Sequence, residues 1–129
     1  MARTKTEPGT WCHVEFQTTN IAKAKKFYGS IFGWKFEEMP GGGYTLYATP
    51  GGGVGGGICQ ASTKKLRPAV NYILVDEIEA TVKRVTKAGG KLKEAKQEVH
   101  GFGWYAVVTD PDGNTVGLWQ SAALRGKRK

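Results

Sequence analysis

Cysteine is scarce in this chain: Cys12 and Cys59 are the whole supply. Two thiols cannot build a disulfide framework, they carry no C-x-x-C spacing, and both fall in apolar stretches where free cysteine commonly serves as a small core residue. A reducing cytosol is the expected setting. Long apolar runs are lacking too. None approaches the ~20 residues of a membrane span, and the start MARTKTEPGT has no apolar stretch behind its basic residues, so neither a membrane nor a secretory route is expected. Zinc-finger spacing and the aromatic-plus-basic strand signature of single-strand binders are also missing. The glycine run from Gly51 to Gly57 is followed by neither Lys-Ser/Thr nor a helix start. It therefore reads as a mobile or ligand-gating loop and not as a phosphate loop.

Positive charge is in excess, at +8 over 129 residues, but it is unevenly placed. Arg125, Lys127, Arg128 and Lys129 crowd the end, and the body before them is only mildly basic. Basic ends of this kind attract polyanions without reading their sequence. No specific nucleic-acid partner is expected, and the mild excess suits an anionic small molecule equally well.

With 129 residues, 40% of them hydrophobic, the chain suits one domain with one core. From Trp11 to Gln17, Cys12, Val14 and Phe16 alternate with His13, Glu15 and Gln17, the pattern of a strand with one buried face. Thr19 or Asn20 can then cap a helix carrying Ile21, Ala24, Tyr28 and Ile31 at helical spacing, ended by Gly33. Strands are expected at 35–38, 44–48 and 58–61. After a polar link at 64–68 the plan restarts, with a strand at 70–75 and a helix capped by Asp76 and striped by Ile78, Val82 and Val85. Gly89 and Gly90 stop that helix, and strands at 91–98, 104–109 and 115–120 follow.

Counting tests the repeat. His13 to Ile21 and Val70 to Ile78 are both eight apart, and Ile21 to Gly33 and Ile78 to Gly90 are both twelve apart. The expected fold is α+β: two βαβββ modules, about 11–61 and 69–120, with a basic tail at 121–129. Such modules side by side would make a cup-shaped mixed sheet with the helices outside, His13, Glu15 and Gln17 lying on its inner face.

The segments His13 to Asn20, Phe27-Tyr28 with Phe32-Gly33-Trp34, and Asp110 to Asn114 with Leu118-Trp119-Gln120 together resemble the vicinal oxygen chelate superfamily. That superfamily comprises glyoxalase-type lyases, extradiol dioxygenases and bleomycin-resistance proteins, and the likeness spans nearly the whole chain. Gly41 to Tyr44 and Gly117 to Gln120 look closest to a glyoxalase-like branch. The resemblance implies a homodimer and a divalent metal held by one ligand from the first and last strand of each module. Such an ion would neutralise charge developing on two neighbouring substrate oxygens.

Here the chain departs from the pattern. His13 falls on the first ligand position, Val70 on its counterpart and Gly117 where the last strand would offer Glu, while Gln60 is the sole candidate near the remaining place. The ligand set is incomplete, since valine and glycine side chains cannot coordinate.

His13 and Glu15 can form an acid-base pair or simply a polar pair in a wet cavity. Gln17, Gln60, Tyr72, Trp104 and Trp119 are candidate ligand-binding residues, the aromatics either stacking on a flat ligand or filling its space. His100 sits in a loop as a lid residue or ordinary surface. Three functions stay open: a metal-free protein binding a small polar or anionic molecule; a lyase, isomerase or epimerase in which His13 and Glu15 move protons; and, more weakly, a nucleic-acid accessory protein using the basic tail.

Overall fold

The computed structural model describes residues 7–122, in which eight strands with both parallel and antiparallel pairing combine with two helices in an α+β fold. The described residues form two compact units, one of residues 13–70 and one of residues 71–122 together with 7–12.

In the 13–70 unit, β1 (Trp11–Thr18) leads into α1 (Ile21–Phe32), followed by β2 (Lys35–Glu38), β3 (Tyr44–Ala48) and β4 (Gly56–Gln60). The Asn20 carboxamide, not Thr19, accepts from the Lys23 N–H and caps α1. β2 pairs antiparallel with β3, β3 antiparallel with β4, and β4 parallel with β1. The alternation along β1 is realised, with Phe16 turned toward the helix and His13, Glu15 and Gln17 toward the other face. The helix side is filled by Ala24, Tyr47 and Ile58 with Phe16, Tyr28, Trp34 and Phe36. Trp34 lies between two parallel rings, 4.6 Å from Tyr28 and 4.3 Å from Tyr47. Burial there pushes the Tyr47 phenol up to about 12, and its hydroxyl donates to the Val14 carbonyl.

The glycine run does not behave as one loop. Pro50–Gly52 form a short 3-10 turn, and the strand begins at Gly56, two residues earlier than the hydropathy pattern suggests. Periodicity in hydrophobicity cannot see glycine, which has no side chain to be buried or exposed.

In the other unit, β5 (Val70–Leu74) leads into α2 (Ile78–Lys87), β6 (Lys91–Val99), β7 (Gly103–Thr109) and β8 (Thr115–Ser121). β5 runs parallel to β8, while β7 pairs antiparallel with both β8 and β6. Its core is Val75, Ile78, Ala106, Val108 and Leu118, with Ile73, Val82, Val85, Trp104 and Val116 against it. The start of α2 departs from expectation. The N-cap is Glu77, which makes no side-chain cap bond, and the Ile78 N–H instead donates to Oε1 of Gln120, a side chain only 2% exposed. A tertiary cap has replaced the local one expected from Asp76, because β8 brings a buried acceptor to the helix start.

Candidate functional site

The polar face of the 13–70 unit is organised around Tyr44. Its ring crosses β4 over Gly57, which stands opposite Glu15 in the β1 register and opposite Leu46 in the β3 register. A methyl group on Gly57 would collide with the Tyr44 hydroxyl and ring. The vacant side of Gly57 therefore seats the phenol and lets it reach across to β1.

There, Tyr44 Oη is 2.9 Å from Nε2 of His13 and donates to Oε1 of Glu15 at 3.0 Å. The other Glu15 oxygen accepts from Arg67 Nη2 at 2.7 Å. A carboxylate held by a guanidinium can only accept, so the phenol proton points at Glu15. With the phenol proton so placed, Nε2 of His13 is the donor to the phenol oxygen. Burial lowers the His13 pKa from its ordinary value, and the Glu15 charge opposes this as the smaller effect. The shift disfavours the charged imidazolium. The result is one relay whose bonds converge on the Glu15 carboxylate, from His13 through Tyr44 on one side and from Arg67 on the other.

Arg67 is fixed at a second point, its backbone N–H donating to Oε1 of Gln17 at 2.9 Å. Gln17 thus tethers the link that carries the arginine. Cys59 lies beside this group, and its thiol is raised first by burial, then by the Glu15 charge, with Arg67 opposing. It stays protonated, as does Cys12, pushed up to about 11 by burial.

Gln60 does not stand at the fourth-strand position. It pairs with Thr18 at the end of β4, and its Nε2 donates to the carbonyls of Thr19 and Ala61. The true counterpart of Gly117 is Gly57, since Gly117 stands opposite Tyr72 as Gly57 stands opposite Glu15. A Cβ on Gly117 would likewise strike a tyrosine ring, that of Tyr72.

Tyr72 is 6% exposed and meets Tyr105 edge-on at 6.3 Å, on the face away from α2. The β8 alternation puts Trp119 on that same face, opposite Tyr105. Trp104 is placed otherwise. It packs with Ala106 and Val108 on the helix side, its ring covered by Lys96 Nζ at 5.2 Å, and so is not on the face of Tyr72 and Trp119. His100 is fully exposed.

The four positions at which the resemblance would put metal ligands are therefore His13, Gly57, Val70 and Gly117. Two have no side chain, a third is aliphatic, and both glycines are covered by tyrosine rings. Among the described residues no group of three or more His, Cys, Asp or Glu side chains is placed to hold an ion. This donor set does not fit a tightly held divalent metal.

Sequence reasoning missed Tyr44 and Arg67. The available signal for Tyr44 was a tyrosine on β3 in step with a glycine on β4. For Arg67, in an aperiodic link, there was none.

Residues 12–118 match the model of the Glyoxalase/Bleomycin resistance protein/Dioxygenase superfamily. A protein of Mycobacterium tuberculosis named as a glyoxylase, CFP32, is 36% identical over 126 residues, covering 92% of this chain and 48% of that protein. The anthracycline biosynthesis protein DnrV of Streptomyces peucetius is 29% identical, covering 95% of this chain and 51% of its own length. The chain thus spans about half the length of the curated relatives it matches. Among solved structures, methylmalonyl-CoA epimerase from Mycobacterium tuberculosis superposes with a TM-score of 0.68 at 15% identity, covering 89% of each chain, a likeness of fold. By the span of the family match and the identity to CFP32, this chain belongs to the Glyoxalase/Bleomycin resistance protein/Dioxygenase superfamily.

Proposed function

We propose that the chain is a glyoxalase/bleomycin-resistance-like protein that binds a small polar or anionic molecule at the face carrying His13, Tyr44, Glu15 and Arg67, without a tight catalytic metal. The observation that carries this reading is the relay itself. Four polar side chains from β1, β3 and the link at 61–69 converge through bonds of 2.7 to 3.0 Å, with Arg67 47% exposed at the outer end. Half-buried polar groups organised in this way supply orientation to a ligand, and an exposed guanidinium supplies charge. Metal content of protein purified without chelator tests the metal-free part. Stoichiometric zinc, nickel, iron or manganese refutes it. A fragment screen read by amide and imidazole NMR shifts tests binding, with responses expected at His13, Glu15 and Gln17.

A second reading, a lyase, isomerase or epimerase, is favoured by one observation: His13 Nε2 lies 2.9 Å from the Tyr44 hydroxyl, which in turn donates to Glu15. There His13 would take a proton from carbon, and the relay through Tyr44 to Glu15 would steady the imidazolium formed. His13→Ala and Glu15→Ala variants that still bind ligand but lose turnover would establish it.

We place the protein in the cytoplasm as a homodimer, supported by the free thiols of Cys12 and Cys59 and by the half-exposed Phe27, Ile31 and Phe32 on α1. Light scattering at micromolar concentration reads the oligomeric state. No helix among the described residues is long and apolar enough to cross a membrane.

A further inference from the structure

Arg67 is more constrained than an exposed arginine usually is. Its backbone is tied to Gln17, its guanidinium to Glu15, and Pro68 follows it, restricting its own backbone to extended conformations. Side-chain entropy that a free arginine would lose on meeting a ligand is already lost here. Nearly half of the side chain remains exposed, so the fork is presented to solvent in a fixed place.

Arg67 is positive, and the Glu15 carboxylate paired with it at 2.7 Å is negative. A bare anion approaching Arg67 meets the Glu15 carboxylate at close range, which cancels much of the attraction. A phosphate dianion meets more repulsion still. A ligand with an anion and a hydrogen-bond donor side by side satisfies both members of the pair. Its carboxylate takes the guanidinium, and its donor meets a Glu15 oxygen.

We infer that the molecule taken by this face is a carboxylate with a hydroxyl or ammonium donor on the adjacent carbon, read jointly by Arg67 and Glu15. The inference rests on the binding reading given above and names its ligand class. Arg67 supplies the fork that fits a carboxylate in two parallel bonds, and Glu15 supplies discrimination against acids that lack the donor.

The test uses three probes sharing one ring: mandelate, phenylacetate, which lacks the hydroxyl, and mandelamide, which lacks the anion. Each is titrated into the full-length ¹⁵N-labelled chain while the backbone amides of Gln17 and Arg67 and the Arg67 Nε–H are followed. Mandelate is expected to bind at least tenfold more tightly than either analogue. Arg67→Met should erase its advantage over mandelamide, Arg67→Lys should weaken it severalfold, and Glu15→Gln should erase its advantage over phenylacetate. Equal affinity for the three probes, or no response at Arg67 and Gln17, overturns the inference. If the fragment screen lights up the His13 face with compounds lacking the carboxylate-donor pair, the ligand class falls while the binding reading stands. If neither probes nor fragments perturb that face, both fall.

Discussion

Tyr44 rests on Gly57, and the fit admits no added carbon between them. Gly57→Ala should therefore push the phenol off its seat and break the bonds to His13 and Glu15 together. The expected loss is about 1–3 kcal/mol of unfolding free energy, the usual cost of overpacking a well-packed site. In a Tyr44→Ala background the same substitution should cost far less. Chemical denaturation of the four proteins gives the coupling directly.

Tyr44→Phe keeps the ring on Gly57 and removes only the hydroxyl. His13 and Glu15 each lose a partner at once, and a destabilisation of about 1–2 kcal/mol is expected. Binding at the site should weaken, although the near-ultraviolet circular dichroism spectrum keeps its shape. An unchanged stability would mean that the relay is not formed in solution.

The depressed pKa of His13 fixes the sign of a pH effect. Well above pH 6.5 both folded and unfolded states hold this histidine neutral, so it contributes no slope there. Below about pH 6.5 the unfolded chain takes up the proton more readily than the folded one, and the stability of the native state falls as pH drops toward the lower folded pKa. His13→Gln should flatten that part of the stability profile. A Cε1–H titration midpoint at or above 6.5 would contradict the burial argument.

Gln120→Leu tests the tertiary cap of α2. It leaves the Ile78 N–H without its acceptor in a site where water has little access, and about 1–3 kcal/mol should be lost. Amide hydrogen exchange should quicken first at Ile78 and the following turn. Asp76→Asn should not reproduce that local pattern, since the Ile78 N–H goes to Gln120.

Much of this fold was legible because it is written in spacing. The eight-residue interval that relates His13 and Ile21 to Val70 and Ile78 corresponds to real strand and helix in both halves, whereas the twelve-residue interval marks the stop only at Gly33, since α2 ends at Lys87 with Ala88 as its C-cap, ahead of Gly89 and Gly90. The polar face of β1 was equally readable, since alternation assigns a side to each residue. The register of β4 was not, because it is set by close backbone approach at glycines, which carry no hydropathy. Gln60 took a place in the sequence reading that belongs to Gly57 for that reason. Trp104 looked like a ligand platform by residue type, yet strand parity puts it with Ala106 and Val108. Arg67 reaches Glu15 across 52 positions of chain, and no local pattern announces such a contact.

The seven residues from Gly51 to Gly57 include six glycines, four of which meet two unrelated needs. Gly51 and Gly52 have positive φ and open space around them, whereas Gly56 and Gly57 lie where a Cβ would meet the Val14 backbone or the Tyr44 ring. Randomising this stretch in a library should split it in two. Asparagine would survive at the first pair, as it tolerates the left-handed region, and nothing but glycine at the second. Tolerance should already disappear at Gly55, where a Cβ would meet the Tyr47 carbonyl, so selection alone would mark where the chain first comes against its neighbouring strand.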